Sequence, residues 1–268
     1  MSRYRRSSHS LAVVAGVLAL VLTGCDAADS SDGPIQGISL KKDLVQTYDW
    51  SFASFDSSGT PIQQTQGRFA ARISATNDRV GGLTDLVKME LYMVDDADKM
   101  EFIWYRQTSS DLRELAYFIT GALPIAPLKR NSESLRRPSL YGLPMTVSTL
   151  LNERLEKAGR EDSVQFRTDP RIVFVYPLEE GASWTAFTSP FAQTREVLGY
   201  RDVKVKAGTF RCAEIRTRIP ELAPNMDWVD CVSDVGLVLR VVTHENELGV
   251  GSGTLRSEER VELVSRSR

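Results

Sequence analysis

Histidine and cysteine are nearly absent, with two histidines and three cysteines in 268 residues. That scarcity excludes thiolate and imidazole zinc sites, which recruit three or four such ligands. No apolar run reaches the roughly 20 residues that a membrane-spanning helix needs; the longest, Leu11 to Leu22, has twelve. Excess charge of one sign is also missing. Lys and Arg number 33 against 35 Asp and Glu, so the electrostatic footprint of a nucleic-acid binder is absent. The basic residues Lys129, Arg130, Arg136 and Arg137 read as a solvated loop. There is no P-loop, no G-x-G-x-x-G and no G-x-S-x-G nucleophile elbow. Asp95, Asp96 and Asp98 lack the glycine and glutamate of a calcium loop and read as a polar turn. No cofactor is implied, no catalytic residue is assigned, and a non-enzymatic protein is expected.

What is present begins with an address. Arg3, Arg5 and Arg6 precede the apolar run, and Leu22-Thr23-Gly24-Cys25 closes it, the layout of a secretory signal. This end resembles the lipobox of bacterial lipoproteins. The resemblance implies a signal peptide over residues 1–24, cleavage before Cys25, and acyl chains on that cysteine. Two or three chains hold a protein at a bilayer where one does not. The expected location is the cell envelope, anchored by lipid to either membrane. Residues 25–37 then form the lipidated cysteine and a polar tether, and residues 38–268 a single β-rich domain. Without its leader the chain carries 30 basic and 35 acidic residues, a formal charge of −5.

Period-two alternation dominates the remainder. It predicts strands over Leu44 to Phe55, Gly67 to Ala75, Leu86 to Val94, Met100 to Arg106 and Leu115 to Thr120. Further strands are expected over Arg171 to Tyr176, Ala182 to Phe187, Val197 to Val205, Phe210 to Ile219, Met226 to Val232 and Leu237 to Thr243. A charged strand from Thr254 to Val264 reads as a sheet edge, blunted against aggregation by Arg and Glu. One helix is expected, from Met145 to Ala158, with a loop-rich insertion from Gly121 to Pro144. The fold class is therefore mainly β with an α element: a curved antiparallel sheet packed against one or few helices.

Two features bear on function. Phe102 and Trp104 alternate with Ile103 and Tyr105, and Val173 and Val175 with Phe174 and Tyr176. Such strands are apolar on both faces, so the second face is either covered by protein or lines a greasy cavity. Trp50, Phe52, Trp104, Trp184 and Trp228 are the large candidates for that cavity or core. Separately, Cys212 and Cys231 remain once Cys25 is lipidated, and an even pair in an oxidising compartment suggests a disulfide. A hairpin register with Cys212 opposite Cys231 also sets Ile215 against Trp228, Thr217 against Met226 and Arg216 against Asp227. The one remaining histidine, His244, reads as a strand-end or surface residue.

Tyr176-Pro177-Leu178 with Gly181 and Trp184, then Val203 to Phe210 around Ala207-Gly208, then Trp228 and Gly236-Leu237-Val238 form an ordered pattern. It is similar to uncharacterised DUF3108-like secreted proteins. That resemblance, over about residues 170 to 243, implies the half-barrel of the LolA/LolB lipoprotein carriers, in which a curved sheet wraps helices and shelters acyl chains. Two functions are expected to compete. One is binding of a lipid or other hydrophobic small molecule in the half-barrel. The other is a structural module that meets an envelope protein through Gly121 to Pro144.

Overall fold

The computed structural model describes residues 33–119, 140–141, 164–188, 191–247 and 254–267. Twelve strands build one antiparallel sheet: β1 (Val45–Phe55), β2 (Pro61–Val80), β3 (Leu83–Met93), β4 (Asp96–Gln107), β5 (Asp111–Ile119), β6 (Gln165–Val175), β7 (Ser183–Phe187), β8 (Gln193–Val205), β9 (Gly208–Ile219), β10 (Ala223–Ser233), β11 (Gly236–Glu247) and β12 (Thr254–Ser267). Their order across the sheet is β6-β5-β4-β3-β2-β1-β12-β11-β10-β9-β8-β7. The chain enters at the middle, meanders out to β6, resumes at the far edge with β7 and returns beside β1. Edge strands β6 and β7 lie alongside each other, so the sheet curls into a nearly closed barrel.

This corrects two expectations and leaves a third outside the described residues. The half-barrel is nearly a full circuit. Among the described residues there is no helix, and the helix expected over Met145 to Ala158 lies outside them. The charged strand β12 is not an edge, because it pairs with β1 on one side and β11 on the other. Its Arg256, Glu258, Arg260 and Glu262 occupy one face, while Ser257, Glu259, Val261 and Leu263 are buried on the other. The charge that resembled edge protection is the wet outer face of a barrel strand.

Alternation explains why these segments are strands. In β1 the even positions Gln46, Tyr48, Trp50 and Ser54 are buried, and the intervening residues face out. The inward residues join a core that includes Phe69, Met89, Ile103, Phe174 and Val261. Turn chemistry fixes the connections. Asp56 Oδ1 accepts from the backbone N–H groups of Ser58 and Thr60 at 2.9 Å each, which closes the β1–β2 reversal. Gly81 and Gly82, with φ of 53° and 84°, supply the two-residue β2–β3 turn, where a positive φ at both positions matches the twist of a hairpin.

The doubly apolar strands divide between two clusters. Ile103 and Tyr105 enter the main core, while Trp104 packs outside it with Leu86, Leu115 and Ala116. The cover on that outer face includes Val80 and Leu83 from the two sides of the β2–β3 turn. The turn also reaches β6, since a Cβ on Gly81 would lie 2.1 Å from the Phe166 ring. The second face here is covered by protein.

Candidate functional site: an arginine cluster inside the barrel

The inward positions of β5, β6, β8, β10 and β11 carry charge where a barrel core is ordinarily apolar. Register places Glu114 directly opposite Arg171, Asp230 opposite Arg240, and Arg195 opposite Thr217. All six are buried. A buried charge is tolerated when it is paired and hydrogen-bonded, and two of these arginines meet that condition. Arg240 grips Asp230 with a two-pronged contact, Nε to Oδ1 at 2.7 Å and Nη2 to Oδ2 at 3.0 Å. Trp228 Nε1 donates to the same carboxylate at 2.8 Å. Arg171 reaches Glu114 Oε2 at 3.4 Å, and Arg167 Nε donates to Oε1 at 2.7 Å.

Residues Leu140 and Tyr141 sit among these guanidiniums, both fully buried. Arg240 Nη2 donates to Leu140 O at 3.0 Å, Arg171 Nη2 donates to Tyr141 O, and Arg195 Nη2 approaches the same oxygen at 3.4 Å. The Tyr141 ring stands edge-on to Tyr105 and Phe174, with centroids 6.1 and 5.4 Å away. Gly236 makes room for it: φ is 104°, and a Cβ there would fall 2.5 Å from the Tyr141 hydroxyl. The middle of the barrel is therefore filled by Leu140, Tyr141, Tyr48, Tyr105, Phe174 and Trp228.

The electrostatics differ among the three arginines. Burial lowers Arg171, against the pull of Glu114. Burial would also lower Arg240, but Asp230 outweighs it and the guanidinium is held above its ordinary value. Arg195 is pushed down to about 9 by burial and by the nearby positive charge of Arg171. It lies over the Phe174 and Trp228 rings at 5.9 and 5.6 Å. Tyr48 and Tyr105 are raised by burial, so their phenols stay neutral. The chemistry on offer is hydrogen-bond donation from fixed cations.

The five expected aromatic residues are not gathered in one place. Trp50 is buried inside β1, its indole over Gly67, where an added Cβ would meet Nε1 at 2.8 Å. Phe52 is half-buried beside the same core. Trp104 belongs to the outer cluster and donates to Asp78 Oδ2 at 2.7 Å. Trp184 bridges β7 to β6 through Ile172 O at 3.2 Å. Trp228 alone joins the arginine cluster, under Arg240 at 4.9 Å. Cys25 lies outside the described residues.

The expected register around the two cysteines is corrected. Trp228 opposes Thr217 and Asp230 opposes Ile215, a register two residues from the one that sets Cys212 against Cys231. Cys231 faces Glu214 instead, and both cysteines are buried free thiols, raised by that burial. The expected Arg216–Asp227 pair survives only as a diagonal contact at 4.0 Å on the surface. His244 is likewise corrected, being buried on the inner face between Met226 and Ser257. Among the described residues no group of three His, Cys, Asp or Glu is placed to hold a metal.

A second feature is an open cleft of about 650 Å³, lined by residues that include Asp49, Arg68, Lys206, Arg260 and Glu262. The β8–β9 turn forms part of its wall, with Lys206 Nζ 2.5 Å from Asp49 Oδ2. Its charges are mutually paired and it is not a greasy pocket. The arginine cluster is the part that sequence reasoning missed. Its one signal is charge at inward parity, as at Asp230, which alternation places on the face of Met226 and Trp228.

The class defined so far is a twelve-stranded, nearly closed antiparallel meander with a polar centre. No family model and no curated protein matches the chain. Among solved structures it is similar to a provisionally assigned lipoprotein of Parabacteroides distasonis, at 11% identity and a TM-score of 0.34. It is also similar to a provisionally assigned exported protein with a YmcC-like fold from Bacteroides fragilis, at 8% identity and a TM-score of 0.36. Each match covers 88% of this chain and 100% of the other.

Proposed function

We propose that this is a non-enzymatic envelope protein, tethered by lipid at Cys25, whose barrel is a rigid body that docks another envelope component. The observation that favours this over a carrier of greasy guests is the filled interior. Tyr141 and its aromatic neighbours occupy the space that an acyl chain would need, and the described inward positions add charges, which apolar ligands avoid. The leader and Leu22-Thr23-Gly24-Cys25 supply the tether, and the segment Gly121 to Pro144, apart from the buried Leu140 and Tyr141, supplies the contact.

Native mass spectrometry of the Cys25→Ser protein separates the two functions, and a photocrosslinker at Lys129 in intact cells seeks the partner. The expected result is a lipid-free mass together with one discrete envelope-protein adduct. A stoichiometric co-purified lipid, or no adduct, overturns the docking function. The tether itself is tested by labelled palmitate, which is expected on the wild type and absent from Cys25→Ser.

A further inference from the structure

We propose that Arg171 and Arg195, with Gln193 and Thr217, form a binding site for a small oxyanion of the phosphate class, set at the seam between β6 and β7. This goes beyond the docking function and does not depend on it.

The seam is the one place where the circuit lacks a backbone ladder, since β6 and β7 end the sheet order. Side chains close it instead. Trp184 donates to Ile172 O, and Arg195 Nη1 donates to Val173 O at 2.8 Å. Arg195 thus spends its guanidinium on neutral main-chain oxygens, Val173 O and Tyr141 O, with no carboxylate in hydrogen-bond contact among the described residues. Arg171 donates to the same Tyr141 oxygen, so two buried cations converge on one uncharged acceptor. Of this pair only Arg171 has a carboxylate, and Glu114 is shared with Arg167. Guanidiniums held this close are normally bridged by a carboxylate or phosphate, which their planar forks fit.

A second observation comes from unmet donors. Arg195 Nε, Arg171 Nε, Gln193 Nε2 and Thr217 Oγ1 are buried and have no hydrogen-bond partner among the described residues. An unpaired buried polar group is costly; three of these lie together by register, and Arg171 joins them through the Tyr141 oxygen it shares with Arg195. Gln193 is two residues from Arg195 on the same face of β8, and Thr217 stands directly opposite Arg195. Four donors and a surplus of positive charge call for an acceptor with several oxygens and a negative charge. The downward push on Arg195 is consistent with this: burial and the positive charge of Arg171 outweigh the more distant Asp230 and Glu114. Asp230 and Glu114 act on Arg195 only through space.

Isothermal titration calorimetry on the full chain in detergent tests the site, with sodium phosphate as probe and sodium chloride at matched ionic strength as blank. Saturable one-to-one binding of phosphate is expected, weakened about tenfold or more in Arg195→Met and unchanged in Arg260→Met on the outer face. Should Arg195→Met not fold by circular dichroism, the Gln193→Leu/Thr217→Val double variant replaces it, since it removes two donors without moving charge. A parallel titration with dihexanoyl phosphatidylglycerol identifies the source of the anion. Tighter binding than phosphate assigns a lipid headgroup, and equal or weaker binding assigns a free oxyanion. No saturable heat with either probe, or affinities unchanged in the folded variants, overturns the proposal.

Discussion

At the scale of single residues, the barrel depends on charges that would be harmful alone. Asp230 neutralises Arg240 and also accepts from Trp228. Removing one partner of a buried pair strands the other, at about 3–5 kcal/mol, while replacing both with apolar groups is often neutral. Asp230→Ala is therefore expected to lose stability in that range by urea denaturation. Asp230→Leu/Arg240→Met should lose clearly less, and an equal or larger loss in the double variant would show that the pair is not coupled. His244 behaves differently, because burial lowers its pKa and keeps the folded imidazole neutral. The unfolded chain takes up a proton as pH falls through about 6.5, and the folded chain resists it. Stability is thus retained above that value and lost as pH drops below it. Met226 and Ser257 flank the ring, and Glu259, two residues along β12 on the same face, is the nearby acid. In melting curves between about pH 7.5 and 5.5, wild type should fall further than His244→Leu. Parallel curves for the two would remove this residue as the cause.

At the scale of elements, the legible strands were those whose two faces differ most. Tyr48 and Trp50 against Asp49 and Ser51 announce β1 and its inward face. The outer stretches of β2 were not legible, because Gln63 to Gln66 and Asn77 to Arg79 carry no apolar period. They are held as strand by pairing with β1 and β3, which is tertiary context. The β9–β10 register failed for a related reason. A slip of one residue reverses every side chain, but a slip of two preserves every face, so alternation cannot separate the expected register from the real one. The arginine cluster was hidden because inward charge reads as noise until its partner on the next strand is known. β12 misled because a wet outer face and a protected edge share one composition. Its central place has a measurable consequence. Truncation after Glu247 removes the strand that joins β1 to β11 and leaves two long open edges, which template association. The truncated protein is expected to aggregate in refolding buffer, as seen by light scattering. A monodisperse, folded product would refute the central role of β12.

At the scale of the whole molecule, every neighbour in the sheet order is also a neighbour in sequence, except where β12 meets β1. That exception joins Val45 to Ser267 and Phe55 to Arg256, so one flank of the first strand waits for the last. Chain synthesis runs from β1 to β12 and delivers the closing piece only at the finish. Contacts that span nearly the full length slow folding. A nascent chain of this design therefore holds one flank of β1 unpaired until β12 has been made, and the circuit waits on the pairing most distant in sequence.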